Sequence, residues 1–177
     1  MTDVKVLNYV NRKDKFVYEN FFCNVKAKDS FVSKFDIMKL TYNDVKNIYK
    51  KLSDIKCFED IMEIFVIAYK CKDYNFWNMK ISNFFMTKKF LIKTFVQLQK
   101  NEEKLLHSID KNAIIYQNIA GDRLKAYNLI MPLDRIAKIY GGYPLDYGNK
   151  KYLEILTLLG MNKTLSEIEK EFNQIKK

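Results

Sequence analysis

The chain has 177 residues, 48% of them hydrophobic and 15% aromatic, with only five glycines and two prolines; this excludes a disordered or linker-rich protein and suits one packed domain. A net charge of +10 and a pI near 9.3 invite a nucleic-acid partner, but the excess is spread as +3 over residues 1–40, +4 over 41–106 and +3 over 107–177, so there is no basic tail. A Lys- and Asn-rich protein reaches such a charge with no partner, and the two readings stand level.

Residues 1–40 mix two patterns. Phe16, Val17, Tyr18, Phe21, Phe22 and Val25 recur at helical spacing, whereas Val4, Val6 and Ser30 to Phe35 suit short extended pieces. The stretch reads either as an aromatic-rich arm that packs on the domain or on a neighbouring copy, or as a first helix of the same core. Residues 41–177 read as a helical domain. Thr41 and Asp44 form a variant capping box ahead of Val45, Ile48, Tyr49 and Leu52, which predicts a helix from Tyr42 to Leu52. Ser53 or Asp54 is then expected to cap a second helix, Phe58 to Lys70, apolar over more than half of its circumference and so central to the core. A break at Asp73-Tyr74-Asn75 precedes Phe76, Trp77, Phe84 and Phe85, a ring cluster suited to plugging the end of a helix pair.

The stretch Ser82 to His107 carries the clearest pattern. Phe84, Leu91, Phe95, Leu98 and Leu105 fall on one side of a helix, and Lys89, Lys93, Lys100 and Lys104 lie within about 60° of one another on the opposite side. Further helices are predicted over Asn112 to Asn128, with Gly121 as a break, and over the segment after Pro132, stopped by Gly141-Gly142. Pro144 and Gly148 mark one more turn. Tyr152, Ile155, Leu156 and Leu159 define the next helix, closed by Gly160, and Thr164 with Glu167 forms a capping box for a C-terminal helix from Leu165 to Lys176. The fold class is therefore mainly α: a compact single-domain bundle of about seven or eight helices with a mixed, partly extended N-terminal arm.

Chemistry-bearing groups are sparse. Cys23, Cys57 and Cys71 show no CxxC spacing, and His107 is the single histidine, so reduced thiols in a cytosolic setting are expected, with no metal, no cofactor and no catalytic residue. Cys57 and Cys71 fall fourteen residues apart on one predicted helix, too far along its axis to bond. No Gly-rich phosphate loop follows a strand, and no nucleophile–base spacing involves His107, which suits a helix-end dipole partner better than a catalyst. Glu59 and Glu63 share a helix face but lack an ExxH partner, and they read as solvating groups that pair with Lys56 or Lys70. The beginning of the chain lacks a signal-peptide core, and the longest apolar run, Ile61 to Tyr69, is about half a bilayer span, so no membrane segment is expected. Lys89, Lys93, Lys100 and Lys104 remain as the candidate DNA- or partner-facing stripe, about 22 Å long, with a plain solvated face as the alternative.

Taken together, FEDIMEIFVIAY, PLDRIAKIYGGYPLDYG and KKYLEILTLL resemble small helical structural proteins of tailed bacteriophages, of the kind that form ring or connector subunits of the neck or act as tail assembly factors. The Lys, Asn, Ile and Tyr bias is similar to that of AT-rich phages such as the crAss-like group. The resemblance covers Thr41 to Gly160 and carries over no functional residue. It implies a non-enzymatic virion protein, assembled in the host cytoplasm, that forms homo-oligomeric rings with other virion proteins and contacts DNA without sequence preference. In that setting Phe16, Tyr18, Phe21, Phe22 and the C-terminal helix would supply intersubunit contacts. A basic helical nucleic-acid-binding regulator, cytoplasmic in location, and a tail assembly chaperone are the alternatives.

Overall fold

The computed structural model describes residues 5, 6, 8, 34–107, 119–121 and 123–175. The arm or first helix expected over 1–40 falls largely outside them, as do Phe16, Tyr18, Phe21, Phe22 and Cys23 and residues 112–118 and 122 of the helix expected over 112–128; Gly121 itself is helical and makes no break. Periodic apolar spacing is realised as helix, and the fold is mainly α: α1 (Tyr42–Ser53), α2 (Phe58–Tyr69), α3 (Asp73–Trp77), α4 (Ile81–Leu106), α5 (Met131–Tyr140), α6 (Pro144–Gly148) and α7 (Tyr152–Ile175), with 3-10 turns at Ile37–Lys39 and Lys125–Tyr127. Pairing of β type among the described residues is limited to two isolated bridges. No helix among them is long and apolar enough to cross a membrane. Contacts group the chain into two units, one of residues 1–37 and 47–98, the other of 38–46 and 99–177.

The first unit is built on rings. Phe76 on α3 is fully buried, and its ring lies 5.5 Å from Phe58 and from Phe65 of α2, 5.2 Å from Trp77 and 5.7 Å from Phe84 of α4. Trp77 stacks on Phe58, so the cluster closes the end of the α2/α4 pair as its spacing predicts. Each such pair adds about 0.5–1.5 kcal/mol to the effect of burial alone. Phe35 meets Tyr69, Phe90 and Phe95 edge-on, a second ring set farther along α4. Where α4 begins, Lys5 and Lys80 form an antiparallel bridge, the Val6 N–H donates to the Met79 carbonyl at 2.9 Å, and the Val6 side chain is buried.

The expected cap of α2 differs. Ser53 closes α1, with its Oγ–H donating to the Lys50 carbonyl, and the N-cap of α2 is Cys57. The selecting group is Asp60, one turn into the helix, whose Oδ2 accepts the Lys56 and Cys57 N–H groups at 3.0 Å each. Cys57 and Cys71 consequently flank α2 and do not lie on it, and both are free thiols.

In the second unit the capping box at Thr41 is present: the Thr41 N–H and Oγ–H both donate to Asp44 Oδ2 at 2.7 Å, and the Asp44 N–H donates to Thr41 Oγ at 3.2 Å. The starts of α1 and α7 lie side by side. Thr41 and Lys151 form a bridge, the Tyr42 N–H donates to the Lys150 carbonyl at 3.0 Å, and the Tyr152 N–H donates to that of Leu40 at 2.9 Å. Pro132 enters the first turn of α5 as expected, and Gly141 and Gly142 end that helix with φ of +80° and +89°, a region open to glycine. The buried Tyr147 ties off this turn by donating its hydroxyl to the Gly141 carbonyl at 2.7 Å.

The C-terminal reading is corrected. Gly160 does not close a helix; it lies inside the 24-residue α7, and Thr164 is no cap, since its Oγ–H donates back to the Gly160 carbonyl at 3.1 Å. Glycine is used here for approach: a Cβ at 160 would stand 3.2 Å from the Leu105 side chain of α4. The Lys163 ammonium reinforces the crossing by donating to the Leu105 carbonyl near the C-terminal end of α4.

These caps separate in mutational stability. Thr41→Ala is expected to cost about 1 kcal/mol in urea unfolding, whereas Thr164→Ala stays within about 0.5 kcal/mol of the parent. Equal losses would restore a helix start at Thr164. Asp60 supplies a pH handle, because the N–H groups of Lys56 and Cys57 hold its carboxyl below its ordinary value. A lowered folded value means that the contribution is present above pH of about 4 and fades as pH falls through the lowered value. Asp60→Asn should lower the urea midpoint at neutral pH and flatten its decline in acid, as measured between pH 2 and 7.

Candidate functional site

All four lysines of the predicted stripe are exposed on α4. Lys89 and Lys93 stand on the stretch that belongs to the first unit, Lys100 and Lys104 on the stretch that belongs to the second. Among the described residues Lys93, Lys100 and Lys104 make no ion pair, and their ammonium groups face solvent. Their chemistry is that of point charges on flexible stems, suited to phosphate or carboxylate surfaces and not to reading bases.

The opposite face departs from a simple apolar seam. Phe84, Leu91 and Phe95 are buried, Leu98 is half-buried, and Leu105 is 44% exposed. At the centre of that face stands Glu102, five helical turns beyond Phe84 and only 8% exposed. Its Oε1 accepts from the Lys46 ammonium of α1, and its Oε2 accepts from the Tyr152 hydroxyl at 3.1 Å. Lys46 also lies 5.1 Å from the centre of the Tyr42 ring, which stacks on Tyr152 at 6.5 Å. Sequence reading passed over this group. The signal was available, since a carboxylate in register with Phe84, Leu91, Phe95 and Leu98 must either break the seam or find buried partners.

The remaining candidates have structural partners. Glu63 pairs with Lys51 of α1 at 2.5 Å and Asp60 lies 3.9 Å from the same ammonium, while Lys56 pairs with Asp54, so Glu63 does not use the expected Lys56 or Lys70; Glu59 is exposed. The hydrogen bond from Lys51 to Glu63 holds its pKa above the usual lysine value. His107 lies just past α4, its N–H donating to the Glu103 carbonyl at 2.7 Å, and its side chain is exposed. Burial pushes the Cys71 thiol up, away from thiolate reactivity. Among the described residues no group of three His, Cys, Asp or Glu could hold a metal ion. A crease in the first unit lined by Leu52, Ile55, Ile61, Leu91 and Ile92 presents no polar group except at its Lys88 edge.

The Glu102 network is tested by a double-mutant cycle. Lys46→Met strands a buried carboxylate and should cost about 3 kcal/mol, whereas Lys46→Met combined with Glu102→Leu should recover most of that loss in urea unfolding. Additive losses would reduce the pair to an exposed contact. No protein-family model, curated protein or solved structure matches this chain.

Proposed function

We propose that this chain is a non-enzymatic structural protein of a tailed-phage virion, a head-to-tail connector subunit that forms rings and sits near packaged DNA. The observation that carries the reading is the exposed lysine row of α4, backed by a helix face that is buried and locked by Glu102. A helix that presents four exposed ammonium groups along one side suits the wall of a DNA channel, where contact must be firm in charge and indifferent to sequence. The similarity of FEDIMEIFVIAY, PLDRIAKIYGGYPLDYG and KKYLEILTLL to neck proteins supplies the setting, which would be the virion after assembly in the host cytoplasm.

The same lysines favour a second reading, a nucleic-acid-binding regulator that acts without a ring. Mass and DNA binding together separate the two. In the connector reading the purified chain forms a closed oligomer, alone or when offered neck components, by light scattering at low and high salt. Reversal of Lys89, Lys93, Lys100 and Lys104 to Glu then abolishes DNA retention and removes a salt slope of about −3 to −4 in log K against log salt. A chain that never joins a ring yet binds DNA with that slope is the regulator, and unchanged DNA retention after reversal removes the stripe from either role. A tail assembly chaperone would be absent from mature particles.

A further inference from the structure

A run of uncovered apolar side chains extends through the second unit from the 3-10 turn at Lys125–Tyr127 to the start of α6. Leu133, Ile136 and Ala137 bury one face of α5. On another face Met131, Arg135 and Ile139, each four residues from the next, form a ridge that is exposed throughout. A tyrosine precedes the ridge and another follows it. Tyr127 is 57% exposed, in the turn where its carbonyl accepts the Ile130 N–H just before α5, and Tyr143 is 62% exposed and N-caps α6 after Gly141-Gly142. Tyr140 is the third exposed ring, and its hydroxyl donates to Asn162 Oδ1 of α7 at 3.0 Å. Among the described residues none of these three rings packs on another ring.

The charge around these rings is positive and partly uncommitted. Residues 123–151 hold six basic side chains against two acidic ones, Asp134 and Asp146. Asp134 is taken by Lys138 at 2.6 Å, while Arg123 and Arg135 are exposed and make no ion pair among the described residues. The chain has three arginines, and two of them stand here. We infer that this surface binds single-stranded nucleic acid, with bases stacked on the tyrosine rings and phosphates held by Arg123 and Arg135. An open ring offers stacking that tolerates any base, and a guanidinium both pairs with phosphate and stacks on bases. A duplex keeps its base faces inside and has no use for the rings. A second copy would set the positive ridge against itself. The ten residues of α5 span about 15 Å, the length of about four stacked nucleotides. The inference does not rest on the connector reading, whose lysine row lies on α4 and addresses phosphate alone.

Anisotropy of a short fluorescein-labelled oligothymidylate, titrated with the full chain at low salt, tests it. Tyr127→Ala with Tyr143→Ala is expected to raise Kd at least about tenfold, whereas Tyr127→Phe with Tyr143→Phe, which keeps both rings, stays within about twofold of the parent. Arg135→Ala should lessen the slope of log K against log salt by about 0.7. Photocrosslinking of the parent to a bromodeoxyuridine oligonucleotide keeps the test decisive if the alanine pair misfolds by circular dichroism, with adducts expected on the peptides that hold Tyr127, Tyr140 or Tyr143. A parent that leaves the strand unbound, a folded alanine pair of parental affinity, or adducts confined to other peptides overturns the inference. So does a phenylalanine pair that loses as much as the alanine pair. Polyglutamate that displaces the strand as well as unlabelled oligothymidylate does overturns it too, in favour of an acidic protein partner. Tyrosine-dependent single-strand binding, beside duplex retention that survives reversal of the α4 lysines, upholds this surface and removes the stripe; the opposite pair of results does the reverse.

Discussion

A helix that begins inside a protein leaves its first backbone N–H groups without helical partners. Both units place a single antiparallel bridge beside a helix entrance; at the starts of α1 and α7 it supplies missing acceptors, the Lys150 carbonyl to the Tyr42 N–H and the Leu40 carbonyl to the Tyr152 N–H, whereas before α4 the Val6 N–H donates to the Met79 carbonyl. At the start of α4 the neighbour is Lys5-Val6, and at the start of α7 it is Leu40-Thr41, which itself opens α1. The second case brings two positive helix ends together. Asp44 and Glu154 in the first turns of α1 and α7 oppose the repulsion that follows.

The residues next to these bridges are buried: Val6, Ile81, Tyr42 and Tyr152. Tyr152 does the most, since its N–H bonds to Leu40, its ring stacks on Tyr42 and its hydroxyl reaches Glu102. A buried carboxylate is a poor source of net stability, because its desolvation offsets much of the attraction to Lys46. Its geometry is demanding, however, and it fixes the rotation of α4 about its own axis. That rotation turns Lys100 and Lys104 outward, so the internal charge and the external row are two consequences of one helix orientation.

The extent of α4 was legible almost to the residue, 82–107 against 81–106, because seven turns of consistent periodicity leave little room for another conformation. The exposure of its lysines followed from the same pattern. Pro132 and Gly141-Gly142 bounded α5 because each acts through its own backbone chemistry. Long-range choices were hidden. Glu102 finds Tyr152 fifty residues away, and Glu63 takes Lys51 from a different helix, so no local window contains either answer. At Gly160 the apolar stripe changes sides at a residue that usually ends helices, and the two signals together imitate a terminus. The contact with Leu105 that keeps glycine there is tertiary.

The aromatic cluster of the first unit has an optical consequence. Trp77 is the single tryptophan of the chain, and it lies stacked on Phe58 against the buried Phe76. Emission excited at the red edge therefore reports on that unit alone, while the second unit, which contains Tyr42, Tyr147 and Tyr152, is silent there. Far-ultraviolet dichroism sees the helices of both. The chain thus carries its own pair of probes for whether the two units melt as one body or in sequence, without any label or added chromophore.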